Sequence, residues 1–230
     1  MPYYAYSMDI YYFLLVVPAF ILALVAQYKV KSTYKKMSQV RNSRNLTGAQ
    51  AAARVLYEHG ITNVRIEQVG GTLSDHFDPR TNVIRLSEGV YNSTSVAAVG
   101  IACHEAGHAV QHAQNYAPIK IRNTILPVCN LGSTLGIPLA IIGLIMNFDF
   151  LFTVGILLYA FVAVFQLVTL PVEFNASKRA LSVIENTGML GGTEYDGAKK
   201  VLTAAAMTYV AALAVSVANL LRLILRNRRD

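Results

Sequence analysis

His104-Glu105-Ala106-Gly107-His108 is the stretch on which the reading of this chain turns. On an α-helix, residues i and i+4 leave the same face. Both imidazoles can therefore reach one tetrahedral Zn²⁺ at about 2.0–2.1 Å. Glu105 sits beside the first imidazole without being needed to hold an ion, and is placed to take a proton from water. Gly107 weakens the helix relative to alanine, but its missing side chain lets another element come close between the two ligands. The alternative is a solvated helix face that matches by accident, and the flanking residues argue against it. Ser93 or Ser95 supplies an N-cap, and Val96 to Ala102 runs apolar and small into the motif. The next turn, Val110 to Asn115, is too polar for the middle of a bilayer, so the motif belongs to a water-facing domain. His112 extends the histidine row to i+8, about 12 Å along the axis from His104 and beyond the reach of the same ion.

Composition sets the surroundings of this helix. Hydrophobic residues make up 54% of the 230 and charged residues only 14%, with 20 Lys and Arg against 13 Asp and Glu. Long apolar stretches account for the excess. Ile10 to Gln27 is interrupted only by Pro18 and is followed by Lys29, Lys31, Lys35 and Lys36, whereas a cleaved signal peptide carries its charge in front. It reads as a retained anchor. Ile125 to Met146 and Phe148 to Val172, joined around Asn147 and Asp149, read as a transmembrane hairpin, with Gly132 and Gly136 at helix-packing spacing. Val201 to Leu225 is apolar but richer in Ala, Ser, Thr and Asn; it either crosses or lies partly buried, giving three or four transmembrane helices. Basic residues at 29–44, at Lys120 and Arg122, and at 178–200 all flank the spans on one inferred side, which the positive-inside rule makes cytoplasmic. Arg226, Arg228 and Arg229 run against this if the last stretch crosses. The basic excess reads as orientation and contact with anionic lipid, and no nucleic-acid-binding motif competes with it. Cys103 and Cys129 are too few for a disulfide framework, which fits a reducing compartment. Cys103, beside His104, should point about 100° away from it into the core and has no assigned role.

Between the first span and the motif lies a small α+β segment. Thr47-Gly48-Ala49-Gln50 has capping-box spacing and opens a helix from Ala51 to Glu58 that Gly60 can end. Val64 to Val69 alternates as a strand and Gly70-Gly71 turns it; Leu73 to Phe77, a turn over Asp78 to Asn82, and Val83 to Leu86 then read as strand, turn, strand. A sheet edge beside a metal can hold a peptide in extended form through main-chain hydrogen bonds. His76 and Asp78 are polar groups in that region, suited to substrate contact or to the turn itself.

A catalytic zinc needs a third protein ligand and an open position. Two spans after the motif return the chain to the same side, and the first acidic residue there is Glu173, where a carboxylate at a membrane boundary is costly unless partnered. Asp196, in Tyr195-Asp196-Gly197, is the rival.

Taken together, Asp75 to Thr81, Leu86 to Tyr91, His104 to His112, Pro171 to Ser177 and Ala204 to Ala212 resemble the YugP-type membrane zinc metallopeptidases over nearly the whole chain. The order of HExxH, two spans and a downstream Glu is also similar to the more distant HtpX-like and CAAX prenyl-protein endopeptidases. The resemblance implies Glu173 as the third zinc ligand. Those relatives carry an Asp four residues later, and Ser177 stands there in this chain.

The expectation is an α+β membrane protein, mainly helical, with a small cytoplasmic zincin-like domain containing a short β-sheet. Its parts are an anchor (1–28), a metallopeptidase domain (29–123), a transmembrane hairpin (124–172), a cytoplasmic segment with the third-ligand candidate (173–200) and a C-terminal membrane or interfacial helix with a basic tail (201–230). The expected activity is that of a zinc metalloendopeptidase in a bacterial plasma membrane. His104, His108 and Glu173 hold one Zn²⁺ per chain, Glu105 is the general base, and His76, His112, Tyr116, Arg179 and Tyr209 are possible substrate or oxyanion contacts. Its partners are a peptide or membrane-protein substrate and the lipid bilayer, with a homo-oligomer or membrane partner protein possible and no nucleic acid. A non-catalytic scaffold or chaperone with a structural metal is the competing class; a closed structural site normally takes four protein ligands.

Overall fold

A computed structural model describes residues 10–227 of the chain. The start of the anchor and the tail arginines Arg228 and Arg229 lie outside the described residues. A π-helical turn, Tyr12–Val16, leads into α1 (Val17–Met37); α2 (Gly48–Glu58), β1 (Arg65–Val69), β2 (His76–Asp78), β3 (Val83–Ser87) and α3 (Glu88–Tyr91) follow. Four longer helices complete the chain up to Asn227: α4 (Val96–Ala113), α5 (Ala117–Ile145), α6 (Asp149–Asn186) and α7 (Gly192–Asn227).

The chain divides into two compact units. One comprises the described parts of Met1–Gln27, Ile121–Leu170 and Thr208–Asp230; the other comprises Tyr28–Lys120 and Pro171–Met207. The first is helical throughout, and α5 and α6 touch there through glycines. A Cβ on Gly132 or Gly136 would run into the Leu158 carbonyl or the Tyr159 backbone, so small residues are what allow the two helices this approach. Phe20, Ile21, Leu22, Leu24 and Val25 of α1, and Phe150, Leu157, Val164 and Leu167 of α6, are exposed. In water such a surface would drive association, whereas hydrocarbon solvates it. Four helical segments, Tyr12–Met37, Ala117–Ile145, Asp149–Asn186 and Gly192–Arg226, are long and apolar enough to cross a membrane.

The second unit is built around α4. Ser95 caps it, accepting from the Ala98 N–H at 3.2 Å. Its buried Val96, Val99, Ala102, Cys103, Ala106 and Val110 form one core with Val55 and Leu56 of α2, Ile84 and Leu86 of β3, and Ala180 and Ile184 of α6. The expected capping box is present: the Thr47 hydroxyl accepts from Gln50 N–H and the Gln50 amide oxygen accepts from Thr47 N–H, an arrangement contributing about 1 kcal/mol.

The sheet has the order β1-β3-β2, with β1 parallel to β3 and β2 antiparallel to it. The Gly70-Gly71 turn therefore does not fold β1 back on its neighbour in sequence; it carries the chain across to the far side of β3. The second strand is also shorter than expected. Gly71 at φ 100° and Leu73 at φ 57° bend the chain before it. Among the described residues, β2 is thus an edge strand paired with β3 alone.

Candidate metal centre

Two helices bring the centre together. The α4 backbone places His104 and His108 on one face, with ring centroids 4.7 Å apart and ring planes nearly perpendicular. Helix α6 crosses close to that face because Gly107 leaves room: a Cβ there would sit 2.7 Å from the Ala176 carbonyl oxygen. This puts Glu173 against the histidines, with its Oε2 at 3.3 Å from His104 Nε2 and 3.6 Å from His108 Nε2. One donor atom from each of the three residues lies within 4.8 Å of the others. Glu173 is buried at 3% exposure, whereas the two imidazoles keep 14% and 12% of their side-chain surface, so the cluster is desolvated yet reachable.

The other ring nitrogens are occupied. His104 Nδ1 is 3.1 Å from Ser177 Oγ, and His108 Nδ1 is 3.0 Å from Gln111 Oε1. Ser177, one turn after Glu173 on α6, thus provides a hydroxyl partner for His104 at the position where the resembled enzymes carry a carboxylate. Gln111 is fully buried and donates through Nε2 to the Val172 carbonyl at 2.8 Å and to Asn175 Oδ1 at 3.0 Å. Neither Gln111 nor Asn175 was anticipated from sequence. The available signal was spacing: Gln111 follows His108 by three residues, and Asn175 precedes Arg179 by four, so each pair shares a helix face.

Electrostatics follow from this packing. Burial works to lower the His108 pKa, but the hydrogen bond with Glu173 and the charges of Glu105 and Glu173, helped by Gln111, outweigh it and raise the pKa above the ordinary imidazole value. Glu105 is buried at 9% exposure and close enough for its charge to act on that ring. Cys103 is completely buried, and burial pushes its thiol well up, so it stays protonated and inert.

The remaining expected contacts separate by location. Arg179 donates through Nε to Asn175 Oδ1 at 2.7 Å and through Nη1 to Gln114 Oε1 at 2.6 Å, with its guanidinium 5.9 Å from the Tyr116 ring centre. Arg179 and Tyr116 are thus engaged with each other and with the α4 C-terminus. His112 is exposed, its ring 5.8 Å from Phe77 of β2. His76, also exposed, has Nδ1 2.8 Å from the Ser74 carbonyl oxygen. Tyr209 belongs to the other compact unit. Asp78 is committed to the turn: it accepts from Arg80 N–H, the Thr81 hydroxyl and Arg85 Nη1 at 2.9–3.0 Å. These bonds, the Arg80 N–H foremost, lower its pKa to about 2. Asp196 is exposed at the start of α7, and the cluster draws on Glu173 instead.

A family described as "Putative neutral zinc metallopeptidase" matches residues 12–228. The chain belongs to this family. It is also 45% identical over 218 residues, 94% of its own length and 97% of the other's, to a Bacillus subtilis (strain 168) protein named "Putative membrane protease YugP". No solved structure matches it.

The zinc that the family's description implies can be tested against the donors present. Two imidazole nitrogens and one carboxylate oxygen are the ligand types zinc prefers. Bonds of about 2.0–2.1 Å in a tetrahedron set neighbouring donors roughly 3.3–3.4 Å apart, and the two nitrogen-to-oxygen separations are 3.3 and 3.6 Å. The residues fit the ion.

Proposed function

We propose that the chain is a zinc-dependent endopeptidase of a bacterial plasma membrane, with its active site facing the cytoplasm. The observation carrying this is the convergence of His104 Nε2 and His108 Nε2 on one oxygen of Glu173 while both Nδ1 atoms are held elsewhere. Basic residues at 29–44 and 178–200, next to the segments that bear the cluster, support the cytoplasmic orientation.

A single zinc ion held by His104, His108 and Glu173 would supply the Lewis acid that makes water nucleophilic near neutral pH and polarises the scissile carbonyl. Glu105 accepts the proton given up by the attacking water and passes it to the leaving amine. The carbon–oxygen bond forms, the carbon–nitrogen bond breaks and the proton count closes. Strand β2 offers an unpaired edge to an extended peptide, and Phe77 packing on His112 sets that strand against α4. His112 lies one turn beyond His108 on α4 with its ring against Phe77 of β2, and we assign it to the flanking peptide. Three protein donors, those found among the described residues, would leave a bound zinc ion able to take up water.

The test is to purify the protein in detergent, quantify its metal and profile cleavage of a mixed peptide library with and without chelator. Close to one zinc per chain with chelator-sensitive cleavage is expected. Stoichiometric zinc without cleavage would overturn the enzymatic reading in favour of a structural metal.

A further inference from the structure

The hydrogen bonds behind His108 form a chain whose direction is fixed at both ends. Arg179 can only donate, so its Nε–H requires that Asn175 present Oδ1, and the two atoms are 2.7 Å apart. The Val172 carbonyl can only accept, so the atom of Gln111 2.8 Å from it is the amide nitrogen. That same NH₂ group satisfies Asn175 Oδ1 at 3.0 Å; reversing Gln111 would set acceptor against acceptor, and reversing Asn175 would set donor against donor. Gln111 must then present Oε1 to His108 Nδ1, 3.0 Å away, and this nitrogen must carry the proton. The lone pair of the neutral ring is left on Nε2, the atom facing Glu173. His104 has no such enforcement, because its Nδ1 meets the Ser177 hydroxyl, which can donate or accept.

From this geometry we infer that Gln111 and Asn175, anchored by Arg179 and the Val172 carbonyl, are positioning residues that lock His108 in its Nδ1–H form and thereby prepare the centre for metal. The inference rests on the metallopeptidase reading, and it gives Arg179 a part that acts through Asn175 and Gln111. Partners behind a metal-ligating histidine typically contribute 10–100-fold in metal affinity. Burial strengthens the effect here, since Gln111 is fully enclosed and its hydrogen bonds are made away from bulk water.

Four forms of the full-length protein in detergent test this: wild type, Gln111→Met, Asn175→Leu and Asn175→Asp. Asp keeps an acceptor for both Gln111 and Arg179, so Asn175→Asp should behave like wild type. Zinc affinity by chelator competition should fall about 10–100-fold in Gln111→Met, and in the same direction but less in Asn175→Leu. In metal-free, ¹⁵N-histidine-labelled protein at alkaline pH, His108 should be Nδ1-protonated in wild type and Asn175→Asp. It should shift toward Nε2–H in Gln111→Met. If Gln111→Met keeps wild-type zinc affinity and an Nδ1-protonated His108, the inference is overturned. So it is if Asn175→Asp fails as badly as Asn175→Leu, because packing alone would then explain the losses. The tautomer measurement needs no metal, so absence of zinc from wild type would sink the peptidase reading and be told apart from failure of the relay.

Discussion

Gly107 lies directly against the backbone of Ala176, such that a Cβ would stand 2.7 Å from the Ala176 carbonyl oxygen. The residue between the two histidines is thus the one that lets α6 deliver Glu173. Gly107→Ala should gain about 1 kcal/mol of helix propensity, but overpacking against a rigid backbone costs about 1–3 kcal/mol. We expect a lower Tm and weaker zinc retention, read by thermal unfolding and metal analysis. A higher Tm with full zinc content would show that the helices separate without cost.

The spacing of the histidine pair, the capped helices and the return of Glu173 to the side of the motif were legible because each is written in local spacing or in the order of spans. What lay beyond reach depends on how far apart two elements settle. The parallel pairing of Arg65 with Val83 is non-local, and nothing in residues 64–71 announces that β1 skips its neighbour. The relay from Arg179 to His108 exists only because α4 and α6 approach at Gly107. For α7, small residues blurred the sequence signal, yet Ala204, Ala206 and Ala211 are buried. They form packing surface on a helix that is apolar enough to cross a membrane.

Glu105 neighbours the cluster without joining it, so its removal separates chemistry from metal binding. Glu105→Gln preserves shape and hydrogen-bonding capacity but cannot take up a proton. Peptide hydrolysis should fall by about 10²–10⁴-fold while zinc stays bound. Wild-type turnover in a zinc-loaded Glu105→Gln protein would remove Glu105 from the mechanism.

Orientation can be tested at two points flanking the cluster in sequence. The native thiols, Cys103 and Cys129, are both buried, so single cysteines placed at Arg41 and Gly191 should dominate labelling. An impermeant thiol reagent should leave both unlabelled in intact cells and reach both after lysis. Labelling of either from outside would contradict a cytoplasmic active site.

Glu173 and Asp196 imply different centres, and their removal should have opposite consequences. In the structure Glu173 is buried against both imidazoles, whereas Asp196 is exposed. Deleting a ligating carboxylate leaves zinc with two neutral donors and its charge uncompensated in a desolvated site, so affinity should collapse. Glu173→Ala should therefore lose metal and activity together under a mild chelator challenge, and Asp196→Ala should keep most of both. Because Glu173 is buried, folding of each variant is checked by its far-ultraviolet spectrum and its elution as a single species before metal is counted. Zinc retained by folded Glu173→Ala but lost from Asp196→Ala would require α7 to supply the ligand, and the convergence seen at Glu173 would then be an ion pair with protonated histidine and not a metal centre.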